Sequence, residues 1–154
     1  HYMDIAKQTS SAKVVHGGNQ PTGGDYKNGF FYEPTLMSGV PVDSPVCQEE
    51  IFGPVACAIP FKTFEEVMQS ANDTPFGLSA VLWTQNLSRA LEFVEDIEAG
   101  FVQVNQCVAP RANVSYGGLK MSGLGTEYAF DSMINHFTQS KTVLINRGKS
   151  NIDS

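Results

Sequence analysis

The chain has 154 residues, 42% of them hydrophobic and 17% charged, a composition typical of one soluble globular domain with a packed core. Its 10 Lys and Arg against 16 Asp and Glu give a net charge of -6 at pH 7. Because a nucleic-acid interface needs clustered positive charge, this balance predicts no nucleic-acid partner.

Cysteine and histidine spacing argues against a disulfide framework and against a metal site. There is no CxxC or other metal-ligand spacing among Cys47, Cys57, Cys107, His1, His16 and His136. The apolar runs are of strand length, too short for a membrane span, and no secretory signal appears. We therefore expect a cytoplasmic protein with no membrane partner and no metal. Because the chain begins at His1, we also expect that an upstream segment is missing.

The N-terminal part is predicted to contain one short helix, over residues 3–12, and a strand over residues 13–16. A glycine-rich loop follows over residues 17–29. Residues 29–36 are aromatic and extended, and Pro34 favours a position at the edge of a sheet.

Two strand-helix units come next. Residues 55–61 are a strand-length apolar run, and Thr63 with Glu66 forms a capping box at the start of a helix. Residues 78–84 form the next predicted strand, and Asn86 caps a second helix. The apolar residues at helical spacing are Phe64, Val67, Met68 and Ala71 in the first helix, and Leu87, Ala90, Leu91, Val94 and Ile97 in the second.

A third strand over residues 101–105 completes the alternation of strands and helices. This alternation predicts an α/β fold in which β-α-β crossovers build a parallel sheet with helices on its faces. Ligands of such sheets gather at the carboxyl ends of strands, here the segment after Asn105. A last helix is predicted over residues 126–135, and residues 138–146 alternate like a terminal strand.

The segment EEIFGPV, residues 49–55, combines a carboxylate, an aromatic ring and a Gly-Pro turn. A carboxylate such as Glu50 can accept two hydrogen bonds from a ribose. An aromatic ring two residues later, Phe52, can pack against a flat nicotinamide ring. The segment therefore predicts a dinucleotide enzyme.

Four motifs occur in order along the chain: EEIFGPV, NDTPFGLSAVLWT, an Asn directly after FVQV, and YGGLKMSG. Together they resemble the C-terminal part of the NAD(P)-dependent aldehyde dehydrogenase superfamily. The resemblance implies that Glu50 hydrogen-bonds the ribose next to nicotinamide and that Phe52 buttresses the nicotinamide ring. It implies that Tyr116, where the family usually has Phe, lines the aldehyde tunnel, and that Asn105 holds the backbone of the active site.

Each of these residues also has a plainer interpretation. Glu50 could be a solvated acid in a turn, and Phe52 a core residue. Asn105 could simply end a strand. Cys107 and Arg111 follow the same strand, and we assign both to the tunnel region. Arg111 could pair with a carboxylate-bearing aldehyde, although loop charges usually face water, and we favour a solvated loop position for it.

The other two cysteines are predicted to be unreactive. Cys57 lies in an apolar strand and is expected to be inert core. Cys47 precedes the acidic pair Glu49 and Glu50, which disfavours its thiolate.

The same resemblance indicates what the chain lacks. Family members attack the aldehyde with a Cys, form a thiohemiacetal, transfer hydride to NAD(P), and hydrolyse the thioester with a Glu base. None of the three cysteines lies in that catalytic context, and the glycine-rich nucleotide-binding unit, the oxyanion Asn and the Glu base are absent. We therefore predict a C-terminal fragment, inactive alone, of a parent that oxidises a small aldehyde to an acid.

Most of the NAD or NADP site, and the residues that choose between the two, would then lie in the missing part. The predicted division is a partial catalytic domain over residues 1–135, an oligomerisation strand over 136–146 and a polar tail over 147–154. By resemblance, the parent is expected to form a homo-oligomer.

Two alternatives stay open at this point. The chain could be a truncated paralogue that acts as a non-catalytic assembly or interaction module. It could also be a thiol enzyme that uses Cys107 with His136, which we favour least because nothing basic adjoins Cys107 in sequence.

Overall fold

The structure is a computed structural model that describes residues 1–145. Its helices are α1 (Tyr2–Gln8), α2 (Pro45–Gln48), α3 (Phe64–Asn72), α4 (Leu87–Asp96) and α5 (Phe130–Phe137), with a 3₁₀ helix at Gly24–Asn28. Its strands are β1 (Lys13–His16), β2 (Thr35–Ser38), β3 (Val55–Ala58), β4 (Phe76–Gly77), β5 (Ser79–Leu82), β6 (Phe101–Val104) and β7 (Leu119–Lys120). The fold is mixed α/β, as predicted.

The strands form three small sheets. β2 lies between β1, which is antiparallel to it, and β3, which is parallel. β5 pairs in parallel with β6, and β4 pairs antiparallel with β7. Of the two predicted parallel crossovers, β5-α4-β6 is present and the one through α3 is not, while a parallel crossover that was not predicted, β2-α2-β3, joins β2 to β3. The predicted single sheet is not formed within residues 1–145, because β3 and β5, the strands that flank α3, belong to separate sheets.

Each parallel pair has its own core. The N-terminal core packs α1 and α2 against β2 and consists of Met3, Ala6, Met37, Val40 and Val46. The C-terminal core packs α3 and α4 against β5 and β6 and consists of Phe64, Met68, Phe93 and Ile97. Between the two cores, the Gln48 amide donates to the carbonyls of Val42 at 2.9 Å and Asp73 at 2.7 Å. This amide links α2 to the end of α3.

Both predicted helix caps are present. The Thr63 hydroxyl accepts from the Glu66 amide at 3.1 Å, and the Asn86 side chain accepts from the Arg89 amide at 3.1 Å. The reciprocal bond of the capping box runs from the Lys62 amide, not the Thr63 amide, to the Glu66 carboxylate at 2.8 Å. These contacts satisfy amides that a helix start leaves without partners.

The predicted apolar stripes are confirmed in part: in α3 Val67 is half-buried and Ala71 is exposed, and of the residues predicted for the second helix Ile97 is buried and Ala90 is half-buried. Phe64 and Met68 of α3 are buried. In α4 the buried residue is Phe93, while Leu87 and Leu91 are 73% and 58% exposed. The sequence contains two apolar faces on this helix, and only packing against β5 and β6 selects one of them.

The C-terminal region differs from the sequence prediction. The helix predicted over residues 126–135 begins later, at Phe130, after a turn. Residues 138–145 form neither helix nor strand, because no other strand pairs with them within the described chain. The polar tail at 147–154 lies outside the described residues. Among residues 1–145, no helix is both long and apolar enough to cross a membrane.

Candidate active site

The segment between α2 and β3, residues 49–54, forms a hinge whose base is held by backbone hydrogen bonds. The Thr35 amide donates to the Pro54 carbonyl at 2.8 Å, and the Val55 amide donates to the Gly53 carbonyl at 2.8 Å. These bonds start the parallel pairing of β2 with β3. The hinge therefore leaves the sheet from a fixed point.

Phe52 stands at the outer part of this hinge. Its side chain is 90% exposed and its φ is 50°. A positive φ is uncommon for a bulky residue and costs about 1–3 kcal/mol, which persists only where the surroundings impose it. The interpretation of Phe52 as a core residue is wrong, since an exposed ring in a strained backbone contributes no burial.

The two acids of the hinge differ in their contacts. The Tyr2 hydroxyl donates to the Glu49 carboxylate at 2.9 Å, and this bond raises the pKa of Tyr2. Glu50 is exposed, and within residues 1–145 its carboxylate takes part in no side-chain hydrogen bond or ion pair. Glu50 is thus the acid whose oxygens are free to accept hydroxyl hydrogen bonds.

An open cleft of about 580 Å³ adjoins the base of the hinge. Its walls come from β1, β2 and the start of β3, and are His16, Pro34, Thr35, Leu36, Gly53, Pro54, Val55 and Ala56. A cleft of this size fits part of a nucleotide. Its His16 and Pro34 walls were not predicted, because only the pairing of the three strands brings them beside the hinge.

Asn105 follows β6 and ties it to the end of β5. Its backbone amide donates to the Leu82 carbonyl at 2.8 Å. Its side-chain oxygen accepts from the Thr84 amide, and its side-chain nitrogen donates to the Thr84 carbonyl, both at 2.8 Å. Its φ is 53°, a conformation that Asn tolerates better than most residues. These bonds hold the end of β6 against the end of β5, and the role of Asn105 in an active site stays a prediction.

The NDTPFGL and YGGLK motifs come together in one structural joint. Phe76 and Gly77 pair with Lys120 and Leu119, and the Gly77 amide donates to the Ser122 hydroxyl at 2.9 Å. A Cβ on Gly77 would meet the Glu98 carbonyl oxygen, so only glycine fits there.

Two side chains lock this joint. The Lys120 ammonium donates to the carbonyls of Asn72 and Thr74, at 2.6 and 3.1 Å, and pairs with the Glu98 carboxylate at 2.6 Å. The Asn72 side chain donates to the backbone carbonyl of Asp96 at 2.8 Å and accepts from the backbone amide of Glu98 at 2.9 Å. Both residues lie in motifs that the sequence revealed, yet their partners are distant in sequence, so their roles were not predicted.

Tyr116 belongs to an aromatic cluster beside the joint. Its ring is half-buried and meets Phe101 and Tyr128 edge to face, with centroids at 5.3 and 6.1 Å. Its backbone exchanges two hydrogen bonds with Glu127, at 3.0 and 2.7 Å. Edge-to-face packing fixes the plane of the Tyr116 ring.

Cys107 and Arg111 lie on the loop that follows Asn105, and both are exposed. The buried Gln103 side chain accepts from the Val108 amide at 2.8 Å and holds the start of this loop. Within the described chain Arg111 forms no ion pair, which agrees with the favoured interpretation of a solvated loop residue.

The structure does not support a Cys107 and His136 pair. His136 lines a cavity of about 400 Å³ with Glu127, Tyr128, Met133 and Phe137, and Cys107 is not part of its walls. The His136 Nδ1 lies 2.8 Å from the Ser132 carbonyl oxygen. Because a carbonyl only accepts, Nδ1 carries the hydrogen in this contact.

The remaining cysteines, Cys47 and Cys57, both pack against the N-terminal core. Cys47 and Cys57 are both half-buried, so Cys57 lies at the margin of the core in which the sequence placed it. Burial first, then the neighbouring Cys57 thiol and Asp43, raise the pKa of Cys47 to about 11. The predicted direction for Cys47 is confirmed, but its cause is burial and not the acidic pair of the hinge.

The predicted residues thus fall into distinct places. Glu50 and Phe52 share the hinge, Asn105, Cys107 and Arg111 share the end of β6 and its loop, and Tyr116 lies in the aromatic cluster.

Comparison with known proteins now identifies the family. The sequence profile described as "Aldehyde dehydrogenase family" matches residues 1–143, nearly the whole chain. This chain belongs to the aldehyde dehydrogenase family. Aldehyde dehydrogenase B of Escherichia coli strain K12 is 38% identical over 145 residues, which are 94% of this chain but 28% of that protein.

Solved structures of the family have the same fold. Betaine aldehyde dehydrogenase of Staphylococcus aureus, in complex with NAD⁺, matches with a TM-score of 0.79 and 32% identity over 87% of this chain and 26% of that chain. A 3,6-anhydro-L-galactose dehydrogenase in complex with NADP matches with a TM-score of 0.79 and 33% identity over 84% and 28%. The chain therefore spans less than a third of the length of these relatives.

Proposed function

We propose that this chain is the C-terminal part of an enzyme that oxidises an aldehyde to a carboxylic acid with NAD or NADP. The observation that carries the proposal is the hinge: a family member presents a free carboxylate and an exposed aromatic ring beside an open cleft. The attacking cysteine, the general base and most of the nucleotide site would lie in the rest of the parent.

Residues of the hinge fit the nicotinamide end of such a cofactor, which accepts hydride when bound. The Glu50 carboxylate would accept hydrogen bonds from the ribose hydroxyls. Phe52 would pack on one face of the nicotinamide ring, and the free energy of stacking would offset the backbone strain at this position. Family relatives in complex with NAD⁺ and with NADP support either cofactor.

On the substrate side, Tyr116 would line the aldehyde tunnel, with the plane of its ring set by Phe101 and Tyr128. Cys107 and Arg111 would line its mouth, where the exposed guanidinium could meet a carboxylate-bearing aldehyde. Asn105 would hold the loop that carries both, through its bonds to Thr84.

The proposed quaternary arrangement concerns residues 138–145. Val143, Leu144 and Ile145 are 62%, 93% and 79% exposed, which is unfavourable for three successive apolar residues. In the parent, this segment would become a strand by pairing with another subunit, and the strands that flank α3 would be joined into one parallel sheet. The same exposed segment favours the alternative of an assembly module.

Glu50→Gln in the full-length parent tests the cofactor role. We expect hydride transfer, measured in a single turnover as cofactor reduction, to slow about 100-fold, because a neutral amide holds the ribose less firmly than a carboxylate. Glu49→Gln is the matched control, since the neighbouring acid is already engaged by Tyr2. Equal rates for the Glu50 variant and the parent would remove Glu50 from the site.

The isolated chain tests its status as part of a larger enzyme. We expect no aldehyde-dependent reduction of NAD or NADP by purified residues 1–154, because the nucleophile would be missing. Turnover by this chain would contradict the proposal. Co-elution of the chain with the parent on size exclusion would instead favour the assembly module.

A further inference from the structure

Gln103 is a buried polar residue of β6 whose side chain is only half engaged. It is 7% exposed, and its Oε1 accepts from the Val108 amide at 2.8 Å. Because a backbone amide only donates, this contact fixes which branch of the carboxamide is the oxygen. The other branch, Nε2, therefore carries two N–H donors in a plane that the bond to Val108 sets.

These two donors have no partner within residues 1–145. In that part of the chain, every fully buried side-chain nitrogen or oxygen has a hydrogen-bond partner, so the Gln103 Nε2 reaches accessible space. A side chain that is already held in place loses little conformational entropy when its free donors meet an acceptor. Gln103 is thus prepared to bind an oxygen atom of a ligand.

The free donors lie on the face of β6 that carries the aromatic cluster. Val102 and Val104 pack against the C-terminal core. Because side chains alternate along a strand, Phe101 and Gln103 lie on the opposite face. There the Phe101 ring meets Tyr116, with the centroids 5.3 Å apart. Gln103 also lies one residue before the carboxyl end of a parallel strand pair, where ligands of α/β sheets bind.

The charges around this face favour an anionic acceptor. Residues 99–126 contain no Asp or Glu, although the whole chain has a net charge of -6. The stretch has two cations. Lys120 is paired with Glu98, whereas Arg111 is exposed and forms no ion pair within the described chain. A negatively charged oxygen acceptor is therefore favoured over a neutral one.

We propose that Gln103 is a specificity-determining residue that selects aldehydes with a carboxylate at the end opposite the reacting carbonyl. This inference rests on the function proposed above. The Gln103 Nε2 donates to a carboxylate oxygen of the substrate, while Oε1 stays on the Val108 amide and holds the loop that carries Arg111. The Arg111 guanidinium attracts the same carboxylate.

The test compares aldehydes of equal chain length in the full-length parent: succinic semialdehyde against butanal, and glutaric semialdehyde against pentanal. We expect the wild-type enzyme to prefer the acidic member of at least one pair by about 10-fold or more in kcat/KM. Gln103→Met is similar in size but has no donor. It should lower this preference at least about 10-fold, mainly through a higher KM for the acidic aldehyde, and change the neutral aldehyde by less than about 3-fold.

Two further variants separate direct contact from support of the loop. Gln69→Met is the matched control, because it makes the same substitution at an exposed residue of α3, and both aldehydes should react as in the wild type. In an Arg111→Met background, Gln103→Met should still lower the preference at least about 3-fold, because its donor contacts the carboxylate directly. Thermal unfolding checks that each variant is folded.

Three results would overturn the proposal. They are an equal loss for both members of a pair on Gln103→Met, no further loss in the double variant with Arg111→Met, and a wild-type enzyme that prefers neither semialdehyde. The first two would mean that Gln103 only holds the loop. A parent that oxidises no aldehyde with NAD or NADP would instead contradict the proposed function itself, so the two failures are distinguishable.

Discussion

The hinge and the joint between the NDTPFGL and YGGLK motifs both lie in segments that mark the family, yet their side chains behave in opposite ways. In the joint, the polar groups of Asn72 and Lys120 are bonded to backbone and to Glu98. In the hinge, the Glu50 carboxylate is free and the Phe52 ring is exposed. A family motif can thus stabilise the fold or form a binding surface. The two cases differ in whether the polar side chains of the motif are already hydrogen-bonded within the chain.

The largest expected effect on stability comes from replacing a buried aromatic residue, with an exposed one for comparison. Phe64→Ala should lower the free energy of unfolding by about 3–5 kcal/mol, because Phe64 is 7% exposed in the C-terminal core. Phe52→Ala should change it by less than about 1 kcal/mol, because its ring is 90% exposed. Urea denaturation of the chain measures both. A large loss of stability on Phe52→Ala would show that the hinge is structural.

Lys120 tests the joint directly. Lys120→Met should destabilise the chain by about 1–3 kcal/mol, because two carbonyls and the Glu98 carboxylate lose a charged donor. Lys62→Met is the control, with an expected change below about 0.5 kcal/mol, since it alters an exposed lysine outside the joint. Thermal unfolding compares the two. Equal effects would mean that the bonds of Lys120 contribute no net stability.

Two variants of Asn105 separate the contribution of its side-chain hydrogen bonds to stability from that of its backbone conformation. Asn105→Gly removes the two bonds to Thr84 but accepts the positive φ, and should cost about 1–2 kcal/mol. Asn105→Ala loses the same bonds and adds strain, so we expect an additional loss of about 1 kcal/mol. Denaturant titration of both variants gives the difference. If the alanine variant were as stable as the glycine variant, the positive φ at this position would impose no measurable strain.

The smallest effect concerns pH. The pKa of Cys47 is raised from 9.0 to about 11, so the unfolded chain releases this proton first as the pH rises. The contribution of Cys47 to stability is therefore complete below pH 9 and declines between pH 9 and about 11. We expect at most about 1 kcal/mol, since the side chain is only partly buried. Cys47→Ala should remove this part of the pH dependence. Urea titrations of the wild-type chain and the variant across this pH range measure the free energy of unfolding.

Local sequence patterns predicted most of the elements and part of the site. Thr63 and Asn86 begin helices because their side chains satisfy amides only a few residues away, and that information is contained in the local sequence. Glu50 and Phe52 were likewise found from one short motif, and the structure leaves both of them exposed.

Tertiary structure decided whatever depends on partners that are distant in the sequence. It selected Phe93 and not Leu87 for the inner face of α4, and it divided the strands into three sheets. It also left residues 138–145 without a strand, although their alternation favours one. A strand needs a neighbouring edge and a helix face needs a surface to cover, and neither is contained in the local pattern.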